Sequence, residues 1–257
     1  MDAALREFKN NPDLMMTRGR CLLAYFFSCK EVKYLTMARR AFNKAYNYGQ
    51  RKEMLYELWY ESEIMADHPQ GAIDVCTLAI QDSLPSYSTW LRRRADAYAH
   101  LSLAMRQSFN IDAAIVNTRS CLTDLSKAMS QSGILERTEL SELFFQASDD
   151  LWEMVSNVSE DIVGIRDLFQ AVKLCIGLGD SRFSTLQHLV HTADRAYQKV
   201  RRTDSITRAQ ANLLRQIIRE TGEMLASHQQ ISPERDMLES LQSRWQDLDS
   251  ATAYMDK

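Results

Sequence analysis

Two pairs of alanines constrain this chain more than any other feature. Ala38 and Ala45 stand seven residues apart, as do Ala72 and Ala79, and the offset from each alanine to its counterpart is 34 residues. Residues seven apart lie two turns along one face of a helix. Small side chains at such positions let a second helix approach closely. A helical hairpin repeated at a fixed period cannot bury its apolar stripe alone and must stack on its neighbours. The period therefore predicts an array of stacked helical hairpins.

The rest of the chain agrees. Only 8 Gly and 4 Pro punctuate the 257 residues, whereas an all-β chain needs a turn about every 8–12 residues. Helical periodicity runs almost throughout. Asn11-Pro12 caps a helix over Leu14 to Cys29, and Val32 to Tyr48 forms the next, ending at Gly49. Arg51 to Ala66 follows, and Asp67-His68-Pro69 opens a fourth helix that ends near Leu84-Pro85. Ser86 to Gln107, Ile111 to Met129, Glu136 to Val155, Asp161 to Ile176 and Phe183 to Val200 continue the series. Leu213, Leu214, Ile217 and Ile218 mark a further amphipathic helix, and Ser232-Pro233 starts the last, with Leu238, Leu241, Trp245 and Leu248 on one face. This makes about eleven helices and no strand. Aromatic residues thin out after about residue 200, so 1–200 reads as the repeat array and 201–257 as a C-terminal helical hairpin or cap.

With these residues in place, the chain resembles the tetratricopeptide-repeat superfamily. The likeness is carried by Leu58-Trp59-Tyr60, then Gly71-Ala72-Ile73, then Ala79-Ile80 and Pro85. The next unit repeats the pattern with Trp90-Leu91, Ala95 and Tyr98, then Ala113 or Ala114, but is expanded near Met105 to Asn110. Residues 14–130 carry the resemblance well, and 131–200 follow it loosely, with Gly164 and Ala171 seven apart. The departure is at the usual small residue of the first helix, where Tyr60 stands. The resemblance implies an all-α, right-handed superhelical array of antiparallel hairpins (a TPR-like α-solenoid), and a protein or peptide partner held in its concave groove. The Lys, Asn and Arg set with which one subgroup clamps carboxylates on successive first helices has no complete counterpart here.

Function classes narrow by exclusion. A formal net charge of −3 argues against a nucleic-acid partner. The N-terminal Met1 to Glu7 has no apolar signal region, and the longest apolar run, Cys21 to Phe27, falls far short of the about 20 residues a membrane span needs. The five cysteines, Cys21, Cys29, Cys76, Cys121 and Cys175, are odd in number and widely spaced, which predicts buried reduced thiols and a cytoplasmic setting. Gly177-Leu178-Gly179 follows a helix rather than a strand and is no nucleotide loop. His188, His191 and Asp194 share one helical face at metal-ligand spacing, a weak signal that reads first as ordinary surface or interhelical histidines. Neither an enzyme constellation nor a cofactor site emerges.

What remains are binding residues. Tyr56 and Tyr60 offer rings with polar tips, and Glu57 and Glu61 share the same helix face. Arg92, Arg93 and Arg94 spread over about 200° of helix, with Arg92 and Asp96 spaced to pair. Tyr56, Glu57, Tyr60, Glu61, Arg92, Arg94 and Asp96 are thus the expected partner-binding residues of a protein–protein interaction scaffold. The alternative is a sensor or regulatory array of a larger signalling ATPase or protease complex. No recognisable effector sequence accompanies the helices to Met255-Asp256-Lys257.

Overall fold

A computed structural model describes residues 10–156, 162–180, 182–202 and 207–228. They form ten α-helices and, among the described residues, no strand. The helices are α1 (Pro12–Cys29), α2 (Val32–Asn47), α3 (Glu53–Met65), α4 (Pro69–Gln81) and α5 (Tyr87–Gln107). Then follow α6 (Ile111–Gln131), α7 (Ile134–Ser156), α8 (Ile162–Gly177), α9 (Phe183–Arg202) and α10 (Arg208–His228). The helix expected after Ser232-Pro233 lies outside the described residues, which accounts for ten helices against about eleven. The boundary expected near residue 200 also abuts residues outside the described set. The chain divides into two compact units, residues 1–141 and 142–257.

The turns explain the shortage of glycine. Six helix ends among the described residues close with a left-handed residue, but only Gly49 (φ 95°) and Gly179 (φ 112°) are glycines. Lys30, Asp67, Ser83 and Phe109 take the same conformation at φ 50–60°, each costing about 1 kcal/mol relative to glycine. The same wrap-around bond recurs: Gln50 N–H to the Ala45 carbonyl (3.0 Å), His68 to Glu63 (3.0 Å), Leu84 to Ala79 (3.3 Å), Asn110 to Met105 (2.9 Å) and Asp180 to Cys175 (3.0 Å). Helix starts are equally explicit. Asn11 Oδ1 accepts from Leu14 N–H (3.1 Å), and Asn110 Oδ1 from Ala113 N–H (3.3 Å).

In the first unit, each helix packs on the next in sequence: α1 on α2, α2 on α3, and so on to α6. Ala38, Ala45, Ala72 and Ala79 are all fully buried, as the repeat requires. At the α1–α2 contact, Gly19 is obligatory because a Cβ there would run into the Phe42 ring. The core of the unit sets Phe42, Tyr56, Trp59 and Trp90 among aliphatic side chains, with Tyr56 packed edge-on against both Tyr46 and Trp90. The expansion of the third hairpin is shared between both helices: α5 and α6 have 21 residues each, against 13 each in α3 and α4. Their added length is stitched by buried hydroxyls, with Ser102 Oγ 2.7 Å from Thr118 Oγ1 and donating to the Ala114 carbonyl at 3.0 Å.

In the second unit, α8, α9 and α10 pack on one another around Leu168, Phe169, Leu189, Val190, Leu214 and Ile217. Arg182 grips Asp149 of α7 with two bonds (3.0 and 2.8 Å) and the fully buried Asp180 with two more (3.1 and 3.0 Å). Cys76, Cys121 and Cys175 are buried as expected, but Cys21 is half-buried and Cys29 is exposed. Burial pushes the Cys76 thiol up to about 12 and the Cys175 thiol up to about 11, so neither is a nucleophile near neutrality.

Candidate functional site

The expected binding residues do not form one surface. Tyr56 is fully buried and donates its hydroxyl proton to Asp82, which also pairs with Arg51 (3.3 Å), so it is a core residue. Tyr60, on the same helix, packs edge-on against Trp90 and reaches the Arg93 carbonyl at 3.4 Å. This explains why an aromatic replaces the usual small residue: the ring fills the space between α3 and α5. Glu57 is half-buried and Glu61 exposed.

The arginine triplet splits three ways, as helix geometry demands. Arg92 lies 3.3 Å from Glu139 rather than pairing with Asp96. Arg93 covers the Trp90 and Tyr60 rings at 4.8 and 5.3 Å from their centroids. Arg94 turns inward and makes a bidentate pair with the buried Asp124 of α6 (2.7 and 2.8 Å), with a third bond to Thr77 of α4 (3.2 Å). That node ties three helices together, so Arg94 serves the packing of α4, α5 and α6. Asp96 is half-buried, and its carboxyl is raised above the usual range by burial, opposed by Arg92 and His100.

The metal-like spacing in α9 is also taken up by packing. The His188 ring stacks on Trp152 with centroids 3.7 Å apart, and His191 is exposed. Burial lowers the His188 pKa, with Asp149 opposing. No group of three or more His, Cys, Asp and Glu able to hold a metal occurs among the described residues. Nor is any helix among them long and apolar enough to cross a membrane.

A concavity lies elsewhere in the first unit. A groove of about 630 Å³ is lined by α1, α2 and α3. Helix α2 contributes Met37, Arg39, Arg40, Asn43 and Lys44; α1 contributes Met15 and Arg18; α3 contributes Trp59 and Glu63. Four cations therefore face a single carboxylate. Glu63 is only 5% exposed and is already occupied: it pairs with Arg39, lies 2.8 Å from His68 Nδ1 and accepts from the Trp59 indole N–H (2.9 Å). Gly71 makes this possible, since a Cβ there would strike both His68 and Glu63. Arg40, Asn43 and Lys44 are exposed on the face of α2 opposite Ala38 and Ala45.

The sequence holds a trace of this groove. Met37, Arg40 and Lys44 follow helical spacing on one side of α2. The contributions of Arg18 and Glu63 have no sequence signal, because only the packing of α1 and α3 against α2 brings them there.

No protein-family model matches the chain, and no curated protein matches it in sequence. A structural likeness is clear. The crystal structure of a TPR repeats protein from Bacteroides fragilis NCTC 9343 superposes with a TM-score of 0.53 at 11% identity, covering 93% of this chain and 99% of that one. The chain has a divergent tetratricopeptide-like, all-α fold.

Proposed function

We propose that this protein is an interaction scaffold that works by holding a segment of another polypeptide, not by catalysis. The observation that carries this reading is the groove on α1–α3: an open concavity with a mixed apolar and cationic lining, built on stacked helices. Stacked hairpins present extended surfaces of this kind. The lining has the features of recognition rather than chemistry. Its one carboxylate is neutralised by neighbours, and general acid–base work needs a group poised to exchange its proton with a bound substrate. Glu57, Tyr60, Glu61, Arg92 and Asp96 belong, in this proposal, to a secondary contact surface.

Site-specific photocrosslinking in the source cell tests the reading. A photoreactive residue replacing Met37 is expected to form a discrete adduct with a partner polypeptide. The same group at Glu61 reports on the secondary surface, and at the exposed Asn212 it gives the background. Labelling at position 37 no stronger than at 212 contradicts the proposal.

A further inference from the structure

We infer that the α1–α3 groove takes an acidic peptide segment carrying one apolar anchor. This rests on the scaffold reading above and names the partner's chemistry.

Charge is the first argument. Of the four cations lining the groove, Arg39 is neutralised by Glu63, and the exposed Arg40 and Lys44 face no further carboxylate in the lining. Spacing is the second. Arg40 and Lys44 stand one turn apart on α2, so their Cβ atoms are about 5–6 Å from each other. Alternate residues of an extended peptide are about 6.5–7 Å apart and project to the same side. Two carboxylates on such residues match the two cations, whose long stems absorb the difference. Asn43 lies between them on the same helix, and its Oδ1 accepts from Asn47 Nδ2 (2.9 Å). That bond fixes its amide so that Nδ2 is the donor end for a peptide carbonyl.

The apolar lining is the third argument. Met37 is 38% exposed, while Met15 and Trp59 are nearly covered. A methionine at the mouth of a groove adapts to aliphatic or aromatic groups of different shape. Covering it adds an apolar contribution that a purely ionic site lacks, and it disfavours nucleic acid.

Fluorescence anisotropy with the full chain tests this. The probes are labelled peptides: one of Glu with a single central Leu, the same peptide with Gly for Leu, and its Lys counterpart, beside labelled single-stranded oligo-dT. Saturable binding of the Glu–Leu peptide is expected, weakened about tenfold by the double change Arg40→Glu and Lys44→Glu, and about threefold by loss of the Leu. Raising the salt from about 50 to about 300 mM is expected to weaken it several-fold. Circular dichroism of the double variant confirms that it folds, and Arg40→Ala gives a milder second variant with an intermediate loss. Equal binding by wild type and double variant, preference for the Lys peptide, or tighter binding of oligo-dT overturns the inference. If no probe binds while position 37 still crosslinks to a partner, the acidic assignment fails and the scaffold survives. If the crosslink is absent as well, both fail.

Discussion

Helices α2 and α4 occupy equivalent places in successive hairpins, yet their outward faces have opposite characters. The buried alanines coincide at the 34-residue offset, Ala38 with Ala72 and Ala45 with Ala79. The groove residues do not. Arg39 corresponds to Ile73, Arg40 to Asp74, Asn43 to Thr77 and Lys44 to Leu78. On α4 three of these positions serve packing, and only Asp74 is exposed. Ile73 is buried in a cluster with Ala72 and Ala97, Leu78 packs on the main core, and Thr77 accepts a hydrogen bond from Arg94. On α2 the same positions line open space. The repeat therefore conserves within itself what stacking requires and departs from itself where one face is released from packing. Released positions are where a repeat protein can acquire a ligand.

Substitutions separate the two faces. The largest effect is expected at the node that closes α4: Asp124→Ala leaves the Arg94 guanidinium unpaired between three helices and should cost about 3–5 kcal/mol in urea unfolding of the first unit. A loss under about 1 kcal/mol would mean that α4 is not held by this pair. Next, Ala45→Leu and Ala79→Leu should each destabilise by about 1–3 kcal/mol, because both sites are fully enclosed. If one is tolerated and the other is not, the two hairpins are not equivalent. Smaller still, Arg40→Glu should leave stability within about 0.5 kcal/mol. Leu78→Glu, at the matching offset of Lys44, should cost more than about 1 kcal/mol by melting, because its side chain packs on the core.

The smallest effect lies in the second unit and serves as a reference for the first. His188 is stacked and half-buried, and its folded pKa lies below the ordinary histidine value. As pH falls through about 6.5, the unfolded chain takes up a proton that the folded chain resists. The stability difference is present above that value and shrinks as pH falls toward the lowered folded pKa. His188→Phe keeps a ring against Trp152 without the titration. Its melting temperature should fall less than that of wild type between pH 7.5 and pH 5.5. Parallel profiles for the two proteins would remove His188 as the source.

Much of the architecture was legible in the sequence because it depends on local signals. The Asn11-Pro12 start, the Gly49 end, the His68-Pro69 break and the alanine pairs all act within one or two turns, and each matches the observed element. The site was not legible in the same way. Tyr56 and Arg94 have the residue types of binding groups, but whether an aromatic or arginine faces inward depends on Asp82 and Asp124, far along the chain. The groove was missed because it is a space between three helices, and its defining charge balance involves Arg18, Lys44 and Glu63, which no sequence window contains.

The most direct test of the contrast between α2 and α4 is a backbone amide NMR titration of the full chain with the Glu–Leu peptide. The account predicts saturable shifts concentrated around Arg18, Arg40 and Lys44, with Asp74 and Leu78 unmoved. Shifts centred instead on Glu61 and Arg92, or spread evenly over α2 and α4, would contradict it.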